Sequence, residues 1–506
     1  MLAATERFFD RAFGAQANPW RNLGGLGFLF FWVLAATGIY LYIRFDTSVT
    51  GAYESIEHLT REEWWLGGFL RSVHRYAADG FVAVTALHLV KEIADGHFRH
   101  YRAFSWISGV PLIWLLLGSG VIGYWLIWDA RALYSATATA EWFDALGLLA
   151  EPMVRNFLTR ESVDDRLFSL FVFLHLGLPL ALLAGMWVHV KRLGFPKNLP
   201  PAPLAWGTIA MLATLAVLLP AQSHARADPS SLPRALDLDW FVLFAHPLMY
   251  ATSPEFLWLL AGGVTLALTV LPWLTREAAP AAAVVDLANC NGCGRCVADC
   301  PFAAVILVPA ANPNGRQVQV YPELCAGCGI CAGACPSSTP FRTAATIASG
   351  IDLPQLTVND LRARLETSLA RLEGAGRVVV FGCDESVKSA GLADARTAAL
   401  GLPCIGMLPP SFAEYALRNG ADGVLLAGCR DGECAYRLGA ELTLARMRGE
   451  REPHLRTNVP RERLRFAWLA CGEETALARA LDEFRDSLVR AAARPVQPPK
   501  RRVASG

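Results

Sequence analysis

Apolar residues cluster along this chain in six runs, near 24–43, 73–93, 107–128, 168–190, 204–220 and 255–274. Each is long enough to cross a hydrocarbon layer of about 30 Å as a helix, the run at 204–220 being the shortest. Residues 1–23 precede them as a short amphipathic segment carrying Arg7, Arg11 and Arg21. The pattern changes after residue 275. An Ala/Pro linker at 276–285 leads into a turn-rich stretch, 286–340, and then a connector, 341–375, with a helix written LRARLETSLARLEG. Over 376–490, strand-like runs at 377–382, 402–407, 423–428 and 465–470 alternate with helical stretches, the signature of a small parallel sheet covered on both faces. Residues 491–506 read as a basic, disordered tail. The expected fold is multi-domain: an all-α transmembrane bundle of about six spans over 24–275, an α+β unit, then a small α/β domain.

Composition agrees with a membrane half joined to a water-soluble half. The chain is 53% hydrophobic with 15 Trp and 26 Phe in 506 residues, and that excess is confined to 24–274. A net charge of +1 provides no global field for recruiting nucleic acid. The N-terminus lacks the charged start and apolar core of a cleavable signal. Lys91, Arg99 and Arg102 lie in the second-to-third connection, and Lys191, Arg192 and Lys197 in the fourth-to-fifth. The opposite loops hold Glu54, Glu57, Glu62 and Glu63, and Glu141, Asp144, Glu151 and Glu161. By the excess of basic residues on the inner side, both termini and everything after 275 are expected on the cytoplasmic side of a bacterial or archaeal inner membrane. All 13 cysteines follow residue 289 at regular spacings, which points to metal ligation in a reducing compartment.

Two pairs of histidines sit inside apolar runs: His74 and His88 in the second, His175 and His189 in the fourth, each pair 14 residues apart. Fourteen steps make nearly four helical turns, so both imidazoles of a pair share one face, about 21 Å apart along the axis. The second and fourth spans run in the same direction, which sets His74 opposite His175 and His88 opposite His189. Opposed imidazoles across a bundle can supply both axial ligands of a haem iron. Gly24 and Gly38 in the first run, and Gly109 and Gly123 in the third, repeat the 14-residue interval and leave room for a flat macrocycle. A lone intramembrane histidine is more often an interhelical hydrogen-bond partner; two pairs at one spacing favour the haem.

Arg71-x-x-His74, His88-x-x-Lys91, His175 followed by Pro179, Trp106-x-x-Gly109 and the run GYWLIW at 123–128 make residues 1–275 resemble the cytochrome b family of quinol-oxidising cytochrome bc complexes. The resemblance implies two b haems, one near each membrane face, with Arg71 and Lys91 contacting haem propionates. A cation beside a propionate offsets the burial of its charge. The family's quinol-oxidation site includes Pro-Glu-Trp-Tyr after the fifth helix, where this chain has Leu238-Asp239-Trp240-Phe241. Asp239 is the candidate proton acceptor on a shortened arm, and an ordinary surface loop is the alternative. Later family helices and a Rieske-like segment are not seen, so the resemblance does not by itself imply a full proton-motive quinone cycle.

Cys290-x-x-Cys293-x-x-Cys296-x-x-x-Cys300-Pro301 recurs as Cys325-x-x-Cys328-x-x-Cys331-x-x-x-Cys335-Pro336. Three thiolates on a tight loop bind three irons of a cubane, and the fourth cysteine of each run reaches the other cluster. Cys290, Cys293, Cys296 and Cys335 are thus expected to hold one [4Fe–4S] cluster, and Cys325, Cys328, Cys331 and Cys300 the second. Zinc would not explain the Cys-Pro tails. Residues 286–340 resemble a bacterial-type two-cluster ferredoxin.

In the α/β part, Cys383, Cys429 and Cys471 follow predicted strands, Cys404 lies within or near another, and Cys434 opens the next helix. Ligands of open α/β sheets bind at that edge, so a thiolate-held cluster is expected there. Asn419-Gly420-Ala421-Asp422-Gly423-Val424 and Gly428-Cys429-x-x-Gly432-x-Cys434-x-Tyr436 make 376–490 resemble the delta subunit of methyl-viologen-reducing hydrogenase. That resemblance implies a [2Fe–2S] cluster, assigned to Cys383, Cys404, Cys429 and Cys434, and a heterodisulfide reductase-like flavoprotein partner. Cys471 is expected to be a buried free thiol. Taken together, the parts imply a membrane electron-transfer subunit, the quinone-reactive part of an oxidoreductase complex, with a homodimer as one assembly. The alternatives are quinol oxidation driving reverse flow to low-potential carriers, and an anchor for a soluble complex with structural haems.

Overall fold

Leu23–Arg44 illustrates how the membrane half is built: 22 residues without a charge before the last turn, rising 1.5 Å each, span roughly 33 Å. The computed structural model describes residues 2–147, 152, 153, 158, 163–230, 235–239, 242–274, 278–341, 346–386, 389–430, 433–470 and 473–493. Cys471, Trp240, Phe241, Gly432 and the tail beyond 493 lie outside the described residues. The chain divides into two compact units, Met1–Arg192 with Pro196–Glu277, and Leu193–Phe195 with Ala278–Gly506.

In the first unit, α1 (Leu2–Phe13), α2 (Leu23–Arg44), α3 (Gly51–Arg61), α4 (Phe69–Ala94), α5 (Ala103–Trp125), α6 (Ala130–Asp144), α7 (Asp165–Val190), α8 (Ala202–Leu218), α9 (Ala245–Ala251) and α10 (Pro254–Val270) follow in order. Among the described residues, four stretches, Leu23–Arg44, His100–Trp125, Asp165–Val190 and Pro254–Trp273, are long and apolar enough to cross a membrane. The other two predicted spans are also helical but differ in kind. α4 is 26 residues long and carries Arg71, Arg75, Asp79, Lys91 and Glu92 among its apolar residues, while α8 has 17 residues. Side-chain caps fix several starts: Asp129 accepts from Ala132 N, Asp164 from Arg166 N and Leu167 N, and Ser253 from Phe256 N. On α7, Phe173, Leu180 and Trp187 recur every seventh residue at 70%, 67% and 61% exposure, whereas Phe168, Phe171, Leu182 and Met186 are buried. A large apolar stripe of that kind fits lipid contact. α2 packs on α4, and α5 packs on α7.

In the second unit the order is β1 (Val284–Val285), α11 (Arg295–Asp299), β2 (Val305–Pro309), β3 (Arg316–Val320), α12 (Ile330–Ala334), β4 (Ile351–Asp352), α13 (Val358–Leu369), β5 (Val378–Cys383), β6 (Thr397–Leu402), α14 (Pro410–Arg418), β7 (Gly423–Cys429), α15 (Gly439–Arg448), β8 (Leu464–Leu469) and α16 (Glu474–Ala493). β2 and β3 form an antiparallel hairpin, Val305 opposite Val320, and β1 pairs antiparallel with β4. The four later strands make a parallel sheet in the order β6-β5-β7-β8. β5 and β7 are buried at every position, as the central strands of a two-sided sheet must be.

One predicted strand is displaced. Residues 402–407 were expected to be extended, but the strand is Thr397–Leu402, and Ile405–Met407 is a 3-10 turn. Pro403 has no N–H for the ladder and ends the strand, which places Cys404 just past its C-terminal edge. The connector is also more than a tether. Thr357 and Asp360 form a capping box at the start of α13, whose Leu361, Leu365 and Leu369 join one hydrophobic core running from Val305 and Val318 to Val379, Phe381 and Leu426.

Candidate functional site

The glycine notches lie against the imidazoles. A Cβ built on Gly38 would come 3.2 Å from His74 Cε1, one on Gly123 2.8 Å from His175 Cε1, and one on Gly109 3.1 Å from His189 Cε1. Gly24 stands off slightly further, at 3.9 Å from His88 Cε1. Each histidine-bearing helix therefore packs on the helix that carries its own notches.

The rings of His74 and His175 face each other with centroids 6.4 Å apart. Metal–imidazole bonds of about 2 Å on either side, plus two ring radii, require roughly 6 Å between axial imidazoles. Between these helices is a cavity of about 860 Å³ lined by His74, His175, Gly38, Gly123, Arg71 and Arg131, among others. That is at the upper end of the roughly 300–1,000 Å³ usual for small-molecule sites. The residues fit a haem.

Hydrogen bonds fix the tautomers. Thr37 donates its hydroxyl to Val33 O at 2.7 Å, so toward His74 Nδ1 at 2.9 Å it acts as acceptor. The Ser119 carbonyl, 3.1 Å from His175 Nδ1, can only accept. Ser108 donates to Ser105 O at 3.1 Å and so accepts from His189 Nδ1 at 3.2 Å. All three rings thus carry their proton on Nδ1, which leaves the Nε2 lone pair for a metal. His88 differs: its Nδ1 lies 3.6 Å from the Glu92 carboxylate, which also meets His97 Nδ1 at 2.8 Å. Sequence reading missed these partners, although Thr37-Gly38 and Ser108-Gly109 place each hydroxyl directly before a notch.

Arg71 is buried, donating to Ser223 Oγ at 2.7 Å and to Thr60 Oγ1. Arg131, not singled out in the sequence, is a second cation on the same cavity wall and donates to His224 Nε2 at 2.5 Å. Lys91 pairs at 2.5 Å with Asp95, the residue that follows its helix. Asp239 is buried beside the cavity, where it accepts from Tyr124 and pairs with Arg75 at 2.5 Å; Arg75 also pairs with Asp79. Arg75 and Tyr124 themselves line the cavity, the guanidinium 5.2 Å from the ring centroid.

The cysteines of the second unit gather in three sets. Cys300, Cys325, Cys328 and Cys331 line one small cavity of about 20 Å³. Cys290, Cys293 and Cys335 are the thiols that bear on Cys296. Gly292, Gly294, Gly327 and Gly329 have φ of 67°, 78°, 64° and 76°, so both loops turn alike around their cysteines through a left-handed conformation that glycine tolerates. Burial pushes the Cys296 thiol up to about 12 and raises Cys328 and Cys331 as well, so a thiolate at these positions requires a bound cation.

Cys383, Cys404, Cys429 and Cys434 meet at the C-terminal edge of the sheet, beside β5 and β7 where the strand order reverses. Cys383 Sγ lies 3.8 Å from Cys429 Sγ. Two sulfurs on one tetrahedral metal, with bonds of about 2.3 Å, are separated by about that distance. Hydrogen bonds from Cys404 and Cys429 hold both Cys383 and Cys434 well below the usual thiol range. Among the described residues no three His, Cys, Asp or Glu close on a single-ion site, whereas a multi-iron cluster distributes its thiolates over several irons.

Comparison with known proteins follows the same divisions. Residues 9–194 match the family model for cytochrome b/b6/petB, 289–339 the 4Fe-4S dicluster domain, and 378–491 the methyl-viologen-reducing hydrogenase delta subunit. Cytochrome b of Akanthomyces muscarius is 26% identical over 292 residues, covering 52% of this chain and 75% of the relative. That of Rhodospirillum rubrum is 24% identical over 285 residues (51% and 70%), and that of Heterodon simus 22% over 287 (52% and 75%). A solved structure described as "Hyperthermophilic respiratory Complex III" aligns at 19% identity and a TM-score of 0.42, over 50% of this chain and 75% of that one. The chain thus carries an N-terminal cytochrome b/b6 domain followed by a dicluster domain and a hydrogenase delta-like domain. It is a multi-pass membrane electron-transfer subunit to which haem b and iron–sulfur clusters belong.

Proposed function

We propose that this chain passes electrons from a cytoplasmic heterodisulfide reductase-like flavoprotein to membrane quinone. His74 with His175, and His88 with His189, would each hold one b haem. Cys290, Cys293, Cys296 and Cys335 would hold one [4Fe–4S] cluster, Cys300, Cys325, Cys328 and Cys331 the other, and Cys383, Cys404, Cys429 and Cys434 a [2Fe–2S] cluster. These groups supply one-electron carriers; the protein orients them and excludes water. Arg71 and Arg131 would neutralise propionates, and both termini would lie in the cytoplasm.

The observation that carries it is the His74–His175 separation of 6.4 Å across a glycine-notched cavity. Purified protein reduced anaerobically with reduced viologen is expected to show haem reduction and then reoxidation on adding a short-chain quinone. Haems that stay oxidised while the iron–sulfur signals are reduced would overturn it.

Two variants probe the cavity. Valine at Gly123 adds a Cβ 2.8 Å from His175 Cε1 and two further methyls, so Gly123→Val is expected to lose one haem with all four histidines retained. Pyridine haemochrome content measures that loss. Asp239 would exchange a proton with the quinone headgroup, its position set by Tyr124 and Arg75. Asp239→Asn keeps the side-chain shape and one acceptor oxygen but removes the basic carboxylate and turns an NH2 toward a donor that the second oxygen had served. Quinol-driven haem reduction should fall roughly 10²-fold, within the range of general acid–base catalysis, while haem content is unchanged.

A further inference from the structure

Arg446 on α15 is fully buried and belongs to none of the cysteine sets. Its guanidinium donates to Gly406 O at 2.9 Å and to Ile330 O at 3.4 Å, and pairs with Asp299, itself 2% exposed. Ile330 precedes Cys331, Asp299 precedes Cys300, and the Gly406 N–H donates to Cys404 Sγ at 3.4 Å. One cation therefore touches main chain beside ligands of two cysteine sets. The junction is tight. A Cβ on Gly406 would lie 2.7 Å from Ile330 Cγ1, and one on Gly333 2.8 Å from Arg446 Nη1. Cys328 and Cys404 share a dry cluster with Ile330, Leu438 and Leu442.

The local charge does not cancel. Asp299 also accepts from Arg451 Nε at 2.7 Å, so two guanidinium groups face one carboxylate. Among the described residues, Arg446 Nε has no hydrogen-bond partner. Arg451 is partly exposed, so Asp299 is shared between a solvated and a buried cation, and the thiolates of the two flanking sets supply the further negative charge that a buried guanidinium needs.

We propose that Arg446 is the positioning residue that joins the Cys383/Cys404/Cys429/Cys434 centre to the Cys300/Cys325/Cys328/Cys331 centre as consecutive partners in electron exchange, and that its charge raises both reduction potentials. This rests on the cluster reading given under the proposed function. The step moves one electron out of one centre and into the other, with no bond broken and no proton transferred. A fixed cation in a low-dielectric site favours whichever state carries the extra electron, so both centres gain from it. The centre on Cys290, Cys293, Cys296 and Cys335 has no ligand in the shared cluster with Cys404 and serves as an internal reference.

The test is a redox titration of the full chain followed by electron paramagnetic resonance. In wild-type protein, the two adjacent centres are expected to broaden each other's signals when both are reduced. Arg446→Gln should lower the reduction equilibrium constant of both about tenfold, or about 59 mV for one electron, while the reference centre moves less. Arg446→Lys retains the charge and should restore most of the shift, although it cannot reach all three acceptors. Arg446→Gln leaves Asp299 paired with Arg451, so no carboxylate is stranded, and iron and sulfide content reports whether the variant has folded. Unchanged potentials in the glutamine variant, with iron and sulfide content intact, would overturn the inference and leave the cluster reading standing. Wild-type protein without acid-labile sulfide would overturn both.

Discussion

Replacing His175 by alanine is expected to halve the haem content and remove one low-spin bis-imidazole signal while leaving the other. The two levels are separately built. His175 faces His74 at 6.4 Å, with Ser119 and Thr37 fixing their tautomers, whereas His189 and His88 rely on Ser108 and Glu92. A five-coordinate iron left on His74 would have a high-spin spectrum and escape readily, because one axial bond of the pair is gone. The same substitution at His189 should spare the His74–His175 signal. Haem assay and low-temperature optical spectra of the two variants distinguish the levels. Loss of both haems in each single variant would instead mean that the bundle does not fold without either one.

The second large effect is expected from Cys331→Ser. Cys331 is 7% exposed inside the core that also contains Val379, Phe381 and Leu426. Burial raises its thiol, so it ligates only with a cation present, and serine leaves a polar hydroxyl in an apolar site with no metal to pair it. Roughly half of the cubane iron should be lost. The cooperative unfolding of the soluble unit should broaden and shift down by several degrees, as expected when about 1–3 kcal/mol is removed from a domain of this size. Cys293 offers the contrast: it is exposed. Cys293→Ser should disturb one cluster while leaving the thermal transition near that of wild type. Iron and sulfide analysis with calorimetry checks both.

Much of the candidate site was legible because its signals are local. The 14-residue interval of His74/His88 and His175/His189 follows from helix pitch alone, and the same interval in Gly24/Gly38 and Gly109/Gly123 could be read without knowing how the helices pack. The paired Cys-x-x-Cys-x-x-Cys-x-x-x-Cys-Pro runs are equally local, since three ligands come from one loop. Sequence reading set the second sheet strand too far along the chain because it weighed the apolar character of 402–407 above the break at Pro403. It also took 341–375 for a connector, because the inward face of α13 has meaning only once the core it enters is present.

What the chain determined by itself is periodicity and chemistry: six apolar runs, imidazoles on one face of two helices, thiols in ferredoxin spacing, and an α/β alternation. These depend on residues a few positions apart, where helix pitch and loop geometry fix the spacing. Tertiary structure alone decided which groups meet across long separations. It brought Tyr124 and Arg75 to Asp239, Ser119 to His175, and the four thiols at 383, 404, 429 and 434 to one sheet edge. It also set Arg446 between two cysteine sets more than a hundred residues from some of its partners. Burial makes those contacts consequential, because a charge or a polar group removed from water must find its partner wherever the fold delivers one.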